Sequence, residues 1–347
     1  MKALDLFCGA GGGSLGLEKA GVNVIGAIDK DKKACDTYKK NLNGKVIQAD
    51  LSKISFKDIE ERIPESKDID LIIGCPPCQN FSNLRDTTPW DENEPKDKLL
   101  KSFIQRINES EPDYVLFENV RGILNTKNGE FMNNLESKLE QMGYTFEWDI
   151  VKAINYGVPQ DRKRVIGFGS KNHEDIELPE KTEEEVRTVR DAIDDLPKVK
   201  AGENCEKIAN HKATNHQEST LERIRNIPKN GGSRTDLDKE LWLECHKDLE
   251  ESEGKSGAES VYGRMRWDKP SPTITTQYTS PSCGRFIHPE QNRGLTIREG
   301  ARLQTFPDNF IFPNTKTHAK RMIGNAVPPK LIEKFIKDLA ELNEINL

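Results

Sequence analysis

Two short stretches of this chain carry residue types that can do chemistry. The first, DLFCGAGGGSLG at 5–16, follows a β-rich run and opens a helical one. Glycines let a backbone turn sharply and approach a ligand, and a helix N-terminus offers unpaired amide donors, so this is a nucleotide-type loop. Gly11, Gly13 and Gly16 also match dinucleotide spacing, a weak signal by itself, and a merely tight strand-to-helix turn is the plain alternative. The second stretch, IIGCPPCQNFS at 72–82, puts Cys78 just past a strand end, where open α/β sheets carry their reactive groups. A thiol there can be a nucleophile. Cys75 and Cys78 also form a C-x-x-C pair, which admits redox chemistry or half a zinc site. Cys205, Cys245 and Cys283 are single and distant, so no second pair completes a zinc site. A small buried hydrophobe is the commonest fate of cysteine.

Acidic residues stand at other strand ends. Asp29 ends the second predicted strand, as expected of a group accepting from ribose hydroxyls, and Asp50 follows the third, where it could accept from an adenine amino group. Either could equally be a helix cap, so they count as a set. Glu118 ends an apolar run, and Arg162 and Arg164 alternate ahead of another.

The elements that must position these groups are readable from 2 to 170. Short β-rich runs at 3–7, 22–28, 45–48, 69–73, 114–118, 145–151 and 164–169 alternate with helical stretches at 15–20, 32–42, 99–109 and 129–142. This predicts an α/β fold, a doubly wound, mostly parallel sheet covered on both faces. From about 171 to 295 the chain is polar and weakly periodic, a second, smaller and irregular domain; helical spacing returns at 296–303 and 331–342, where a closing helix can pack back on the first sheet. The expected division is 1–175 plus 296–347 against 176–295.

Composition narrows the class. A hydrophobic content of 34% and a mean hydropathy of −0.74, with no long apolar run, predict neither a membrane span nor a signal peptide, hence a cytoplasmic protein. Seven scattered cysteines fit a reducing compartment. The net charge of −6 lies in the first 150 residues, with 20 Lys and Arg against 26 Asp and Glu, while the remainder balances at 32 each. Between 255 and 302 stand Lys255, Arg264, Arg266, Lys269, Arg285, Arg293, Arg298 and Arg302 against four acids, so a polyanion is expected there, unless the excess is an ordinary solvated face.

Read in order, DLFCGAGG, GCPPCQNFS, FENVRG (117–122), VPQDRKRV (158–165), IREGARLQTFPD (297–308) and IGNAVPP (323–329) resemble the motif set of the DNA cytosine-5 methyltransferase family, leaving only about 171–260 outside the likeness. The resemblance implies a Rossmann-like fold that uses S-adenosyl-L-methionine, releases S-adenosyl-L-homocysteine and needs no metal. It implies Cys78 as the nucleophile that adds to carbon 6 of cytosine, because carbon 5 is otherwise too weak to attack a sulfonium methyl. Glu118 would protonate nitrogen 3, a task suited to a desolvated carboxyl. Arg162 and Arg164 would hold the base oxygen, a phosphate and Glu118 with forked donors. Phe7, Gly9, Ala10, Gly12, Asp29, Lys30, Asp50, Leu51, Pro77 and Asn325 match the family's cofactor positions. Lys30, where the family often has an apolar or aromatic residue, and Asn80, where a small residue is usual, are departures.

The resemblance further implies a base swung out of duplex DNA, with Gln79 and Ser82 filling its place. Sequence reading falls to the 176–295 target-recognition domain, with Arg264, Arg266 and Arg285 as expected DNA contacts. The expected partners are double-stranded DNA and an independently acting restriction endonuclease, with the chain a monomer. A tRNA cytosine methyltransferase shares the chemistry but looks shorter between QDRKR and IREGARLQ; a binding protein without catalysis and a C-x-x-C redox or NAD enzyme are the remaining alternatives.

Overall fold

The computed structural model describes residues 1–77, 98–180, 185–244 and 260–347, apart from the side chains of 126–128. Contacts divide the chain into two compact units, Met1–Tyr156 with Lys163–Glu184 and Ala326–Leu347, and Gly157–Arg162 with Glu185–Asn325.

The first unit is built on a seven-stranded sheet of β1 (Lys2–Leu6), β2 (Asn23–Asp29), β3 (Lys45–Gln48), β4 (Leu71–Gly74), β5 (Tyr114–Val120), β6 (Thr145–Lys152) and β8 (Lys163–Ser170). Its order is β3-β2-β1-β4-β5-β8-β6. The pairs from β3 through β5 are parallel, and β8 runs antiparallel to both neighbours, so the expected mostly parallel sheet is present. β1 and β4 are buried along nearly their whole length, which is why β4 is continuously apolar rather than alternating and β1 is apolar at three of its four buried positions. Helices α1 (Gly12–Ala20), α2 (Lys32–Asn41), α3 (Phe56–Arg62), α4 (Lys98–Ser110), α5 (Glu130–Gln141) and α10 (Pro329–Leu342) flank it. α10 packs on α1, and α4 lies against α3 and α5. A Cβ on Gly16 would come within 2.6 Å of the Ile332 side chain and the Pro329 carbonyl, so this glycine lets the closing helix in. Leu4, Ile28, Ile72, Phe103, Phe117, Leu135 and Val165 lie in the core.

Strand order reverses at β1 and β4, whose ends Leu6 and Gly74 are register partners. The glycine loop and the Cys75–Pro77 segment therefore leave from adjacent strand ends, and Cys75 N–H donates to the Leu6 carbonyl. That is the crevice in which open α/β sheets bind ligands.

The second unit is mostly irregular. It contains a two-residue bridge of β7 (Gln160–Asp161) with β9 (Ser271–Pro272), and helices α6 (Val189–Ile193), α7 (Glu218–Asn226), α8 (Ile297–Leu303) and α9 (Lys316–Asn325). Ile224, Ile227, Leu237, Trp242, Tyr262 and Ile287 form one core of it. Contacts group 297–325 with this unit, whereas the motif reading put them with the catalytic part; α8 packs on α6 and α9.

Candidate active site

The glycine loop is fixed atom by atom. Phe7 and Cys8 N–H groups donate to the Ile28 carbonyl at 2.9 and 3.1 Å. Phe7 and Gly9 take the left-handed conformation, φ 69° and 54°, which aims the Gly9 amide at Asp29 Oδ2, 2.9 Å away. Asp29 Oδ1 accepts from Asp31 N–H at 2.8 Å. Burial pushes the Asp29 carboxyl up, against the pull of those amides. Asp50 does cap the short turn after β3, accepting from Ser52 N–H and Oγ, both through Oδ1. Burial opposes its ionisation, but the Ser52 bonds outweigh it, and the carboxyl sits below its ordinary range.

Between these acids lies an open pocket lined by Phe7, Ile28, Asp29, Lys30, Ala49, Asp50, Leu51, Pro77 and Leu99. Apolar walls with two carboxylates at the rim suit a flat, hydroxyl-bearing ligand such as a nucleoside. Six of the ten expected cofactor residues line it: Phe7, Asp29, Lys30, Asp50, Leu51 and Pro77. Gly9, Ala10 and Gly12 lie in the loop behind, Gly9 through its bond to Asp29, and Asn325 belongs to the second unit. Lys30 is exposed, as a side chain that packs its stem and solvates its charge should be.

Beyond the same ends of the sheet, Glu118 on β5 meets Arg164 on β8, with Nε to Oε1 at 3.0 Å and side chains only 8% and 12% exposed. Arg164 Nη1 also donates to the Lys163 carbonyl. Cys78, Gln79, Ser82 and Asn80 lie outside the described residues. Among the described residues no group of three or more His, Cys, Asp or Glu could hold a metal ion.

Residues 1–341 match the family model of the C-5 cytosine-specific DNA methylases. The chain belongs to this family. Its relatives include the Type II methylase M.HgiDII of Herpetosiphon aurantiacus, 38% identical over 361 residues that take in 99% of this chain and 98% of that one. Type II methyltransferase M1.HphI of Haemophilus parahaemolyticus is 35% identical over 341 residues, 98% and 87% of the two chains. Among solved structures, a prophage-encoded DNA modification methyltransferase of Escherichia coli superposes with a TM-score of 0.77 at 26% identity, covering 99% of each chain. S. pombe Dnmt2, at 20% identity and a TM-score of 0.64, shares the fold.

The methylase places several expected residues differently from their sequence reading. Arg264 is 1% exposed and donates to the carbonyls of Ile224, Ile227, His288 and Gln291 and to Asn292 Oδ1. Arg285 Nη1 serves the carbonyls of Gly231, Gly232 and Arg264. The enclosed Arg264 does not fit an arginine that reads bases, while Arg285 is half-buried. Arg293 and Arg298 are likewise buried, Arg293 holding Glu299 at 2.6 Å. An irregular chain leaves many buried carbonyls without ladder partners, and arginine forks satisfy them. The basic excess at 255–302 is therefore largely internal; Arg266 and Lys269 are its exposed members among the described residues. Arg162, 2% exposed, donates to the Ile274 and Gly324 carbonyls within the second unit. In this structure it braces main chain where a base oxygen or phosphate was expected.

One residue of the methylase escaped the sequence reading. Asn119, fully buried beside Glu118, donates from Nδ2 to the Pro76 carbonyl at 3.2 Å and so ties the segment entering Cys78 to the end of β5. An amide side chain directly after Glu118 at the end of an apolar run was the available signal.

Proposed function

We propose that this methylase uses S-adenosyl-L-methionine to methylate carbon 5 of a cytosine swung out of a specific double-stranded DNA sequence, through covalent addition of Cys78 to carbon 6. The pocket flanked by Asp29 and Asp50 carries this reading, because it joins apolar walls to two hydroxyl- or amine-accepting acids beside the Cys75–Pro77 segment. Asp29 and Asp50 would hold the ribose and adenine groups; Phe7, Leu51 and Pro77 would hold the ring, with the loop of Gly9, Ala10 and Gly12 beneath. When bound, this cofactor supplies an electrophilic methyl group and leaves as S-adenosyl-L-homocysteine; no metal has a part.

The chain's own residues do the rest. The Cys78 thiolate adds to carbon 6, which makes carbon 5 nucleophilic, and Glu118 delivers a proton to nitrogen 3 as charge develops there. Arg164 positions Glu118, Asn119 positions the cysteine segment, and Arg162 stiffens the chain leading into β8. Carbon 5 then takes the methyl group. Solvent accepts the carbon 5 proton as the Cys78 thiolate leaves carbon 6, and nitrogen 3 returns its proton to Glu118, restoring the ring. Gln79 and Ser82 are proposed to fill the space the base leaves, and exposed residues of the second unit, Arg266 among them, to meet DNA.

The relatives named Type II support pairing with an independently acting restriction endonuclease. A monomer in the cytoplasm suits that role, and no helix among the described residues is long and apolar enough to cross a membrane. Supplying methyl-labelled S-adenosyl-L-methionine with duplex DNA, tRNA or no nucleic acid tests the assignment. Label on duplex DNA alone is expected; label on tRNA alone would transfer the chemistry to the other substrate. Bisulfite sequencing of DNA from cells expressing the chain then gives the recognition sequence.

A further inference from the structure

Beneath the glycine loop lies a polar group that the chemistry above does not use. Asp5 on β1 is 1% exposed and Ser14, in the first turn of α1, is fully buried. Ser14 Oγ donates to Asp5 Oδ2 at 2.6 Å, closing the loop from below across nine residues of sequence. Asp5 Oδ1 has no hydrogen-bond partner among the described residues. From the side, the buried Tyr38 ring presses on the same loop, since a Cβ on Gly11 would stand 2.9 Å from it. A carboxyl buried with one oxygen unsatisfied is unfavourable, and hydrophobic residues could fill such a space at less cost.

We propose that Asp5 is a positioning residue for the methyl-donor pocket, its bond to Ser14 fixing the underside of the loop whose upper side carries Phe7 and the Gly9 amide to Asp29. The inference rests on the donor-pocket reading above. The bond joins the strand that starts the loop to the helix that ends it, while Gly9 N–H, held by Asp29, fixes the middle. With three points held, the aim of Phe7 into the pocket follows. Burial, aided by the nearby charge of Asp29, pushes the Asp5 carboxyl up to about 7, so near neutrality an asparagine is a close mimic of its protonated form.

The test is calorimetric binding of S-adenosyl-L-homocysteine to the full chain, with steady-state methyl transfer alongside. Ser14→Ala is expected to weaken binding and raise KM for the donor roughly tenfold, the scale of one lost buried hydrogen bond, with kcat at saturating donor reduced less than about threefold. Asp5→Asn, which keeps an oxygen for Ser14, is expected to stay within about threefold of the parent in both binding and KM. Unchanged binding by Ser14→Ala with normal binding by the parent would overturn this proposal and leave the donor pocket standing. So would equal loss of kcat and affinity in both variants, which marks general disruption. If the parent itself failed to bind S-adenosyl-L-homocysteine, the donor-pocket reading would fall and this inference with it.

Discussion

Removing Arg164 should expose how much the site depends on one ion pair. Its Nε lies 3.0 Å from Glu118 Oε1, and the two side chains are 12% and 8% exposed, so little water screens them. Arg164→Ala would take the guanidinium away from a carboxyl that is only 8% exposed. Breaking a buried pair by removing one partner costs about 3–5 kcal/mol. With some water reaching both groups, the lower end applies, about 3 kcal/mol, or roughly 6–12 °C in Tm for a unit of this size. The charge can be removed as well: Glu118→Gln in the Arg164→Ala background should recover much of the loss. Urea unfolding followed by tryptophan fluorescence on the parent, the two single variants and the double variant gives the coupling, expected at about 2 kcal/mol. A coupling below about 0.5 kcal/mol would refute the idea that Arg164 holds Glu118, because exposed, incidental pairs measure that little.

Cys78→Ser should abolish methyl transfer to duplex DNA while Cys75→Ser keeps most of it, measured by label incorporation; equal loss in both would favour dithiol chemistry. Glu118→Gln should cut turnover far more than DNA affinity, since proton donation acts in the transition state, and a filter-binding defect as large as the turnover defect would contradict this. Asp5 gives a pH signature. Its carboxyl is held near 7 in the fold against 3.8 ordinarily, so between about pH 4 and 7 the unfolded chain releases a proton that the native one retains. This contribution to stability is whole below about pH 4 and lost as pH rises through about 7. Asp5→Asn should therefore gain on the parent by about 2–3 kcal/mol between pH 5 and 8 in urea midpoints, and a constant difference would place the titration elsewhere.

The sheet was legible because the centres of buried parallel strands are apolar: Leu71–Ile73 and Val115–Phe117 are short apolar runs, each flanked by a charged residue. α3 was not proposed from sequence, though its capping box of Ser55 and Asp58 is written there; seven residues carry too few helical turns for periodicity to show. Asp29 and Asp50 were legible as a pair because strand ends converge on one crevice, whereas Ile28, Ala49 and Leu99 look like any core residue until the pocket is formed. Arginines misled most. Arg264 and Arg266 stand two apart in sequence, yet one is enclosed by carbonyls and the other exposed, a difference set by where an irregular chain leaves its acceptors.

Covalent attack by Cys78 is open to direct measurement on a duplex in which the target cytosine carries fluorine at carbon 5. Fluorine cannot leave as the proton does, so an adduct formed at carbon 6 persists after methyl transfer. With S-adenosyl-L-methionine present, the parent chain should give a denaturation-resistant protein–DNA species and Cys78→Ser none. If the parent methylated ordinary cytosine in that sequence yet left no trapped species on the fluorinated duplex, catalysis through Cys78 addition would be contradicted.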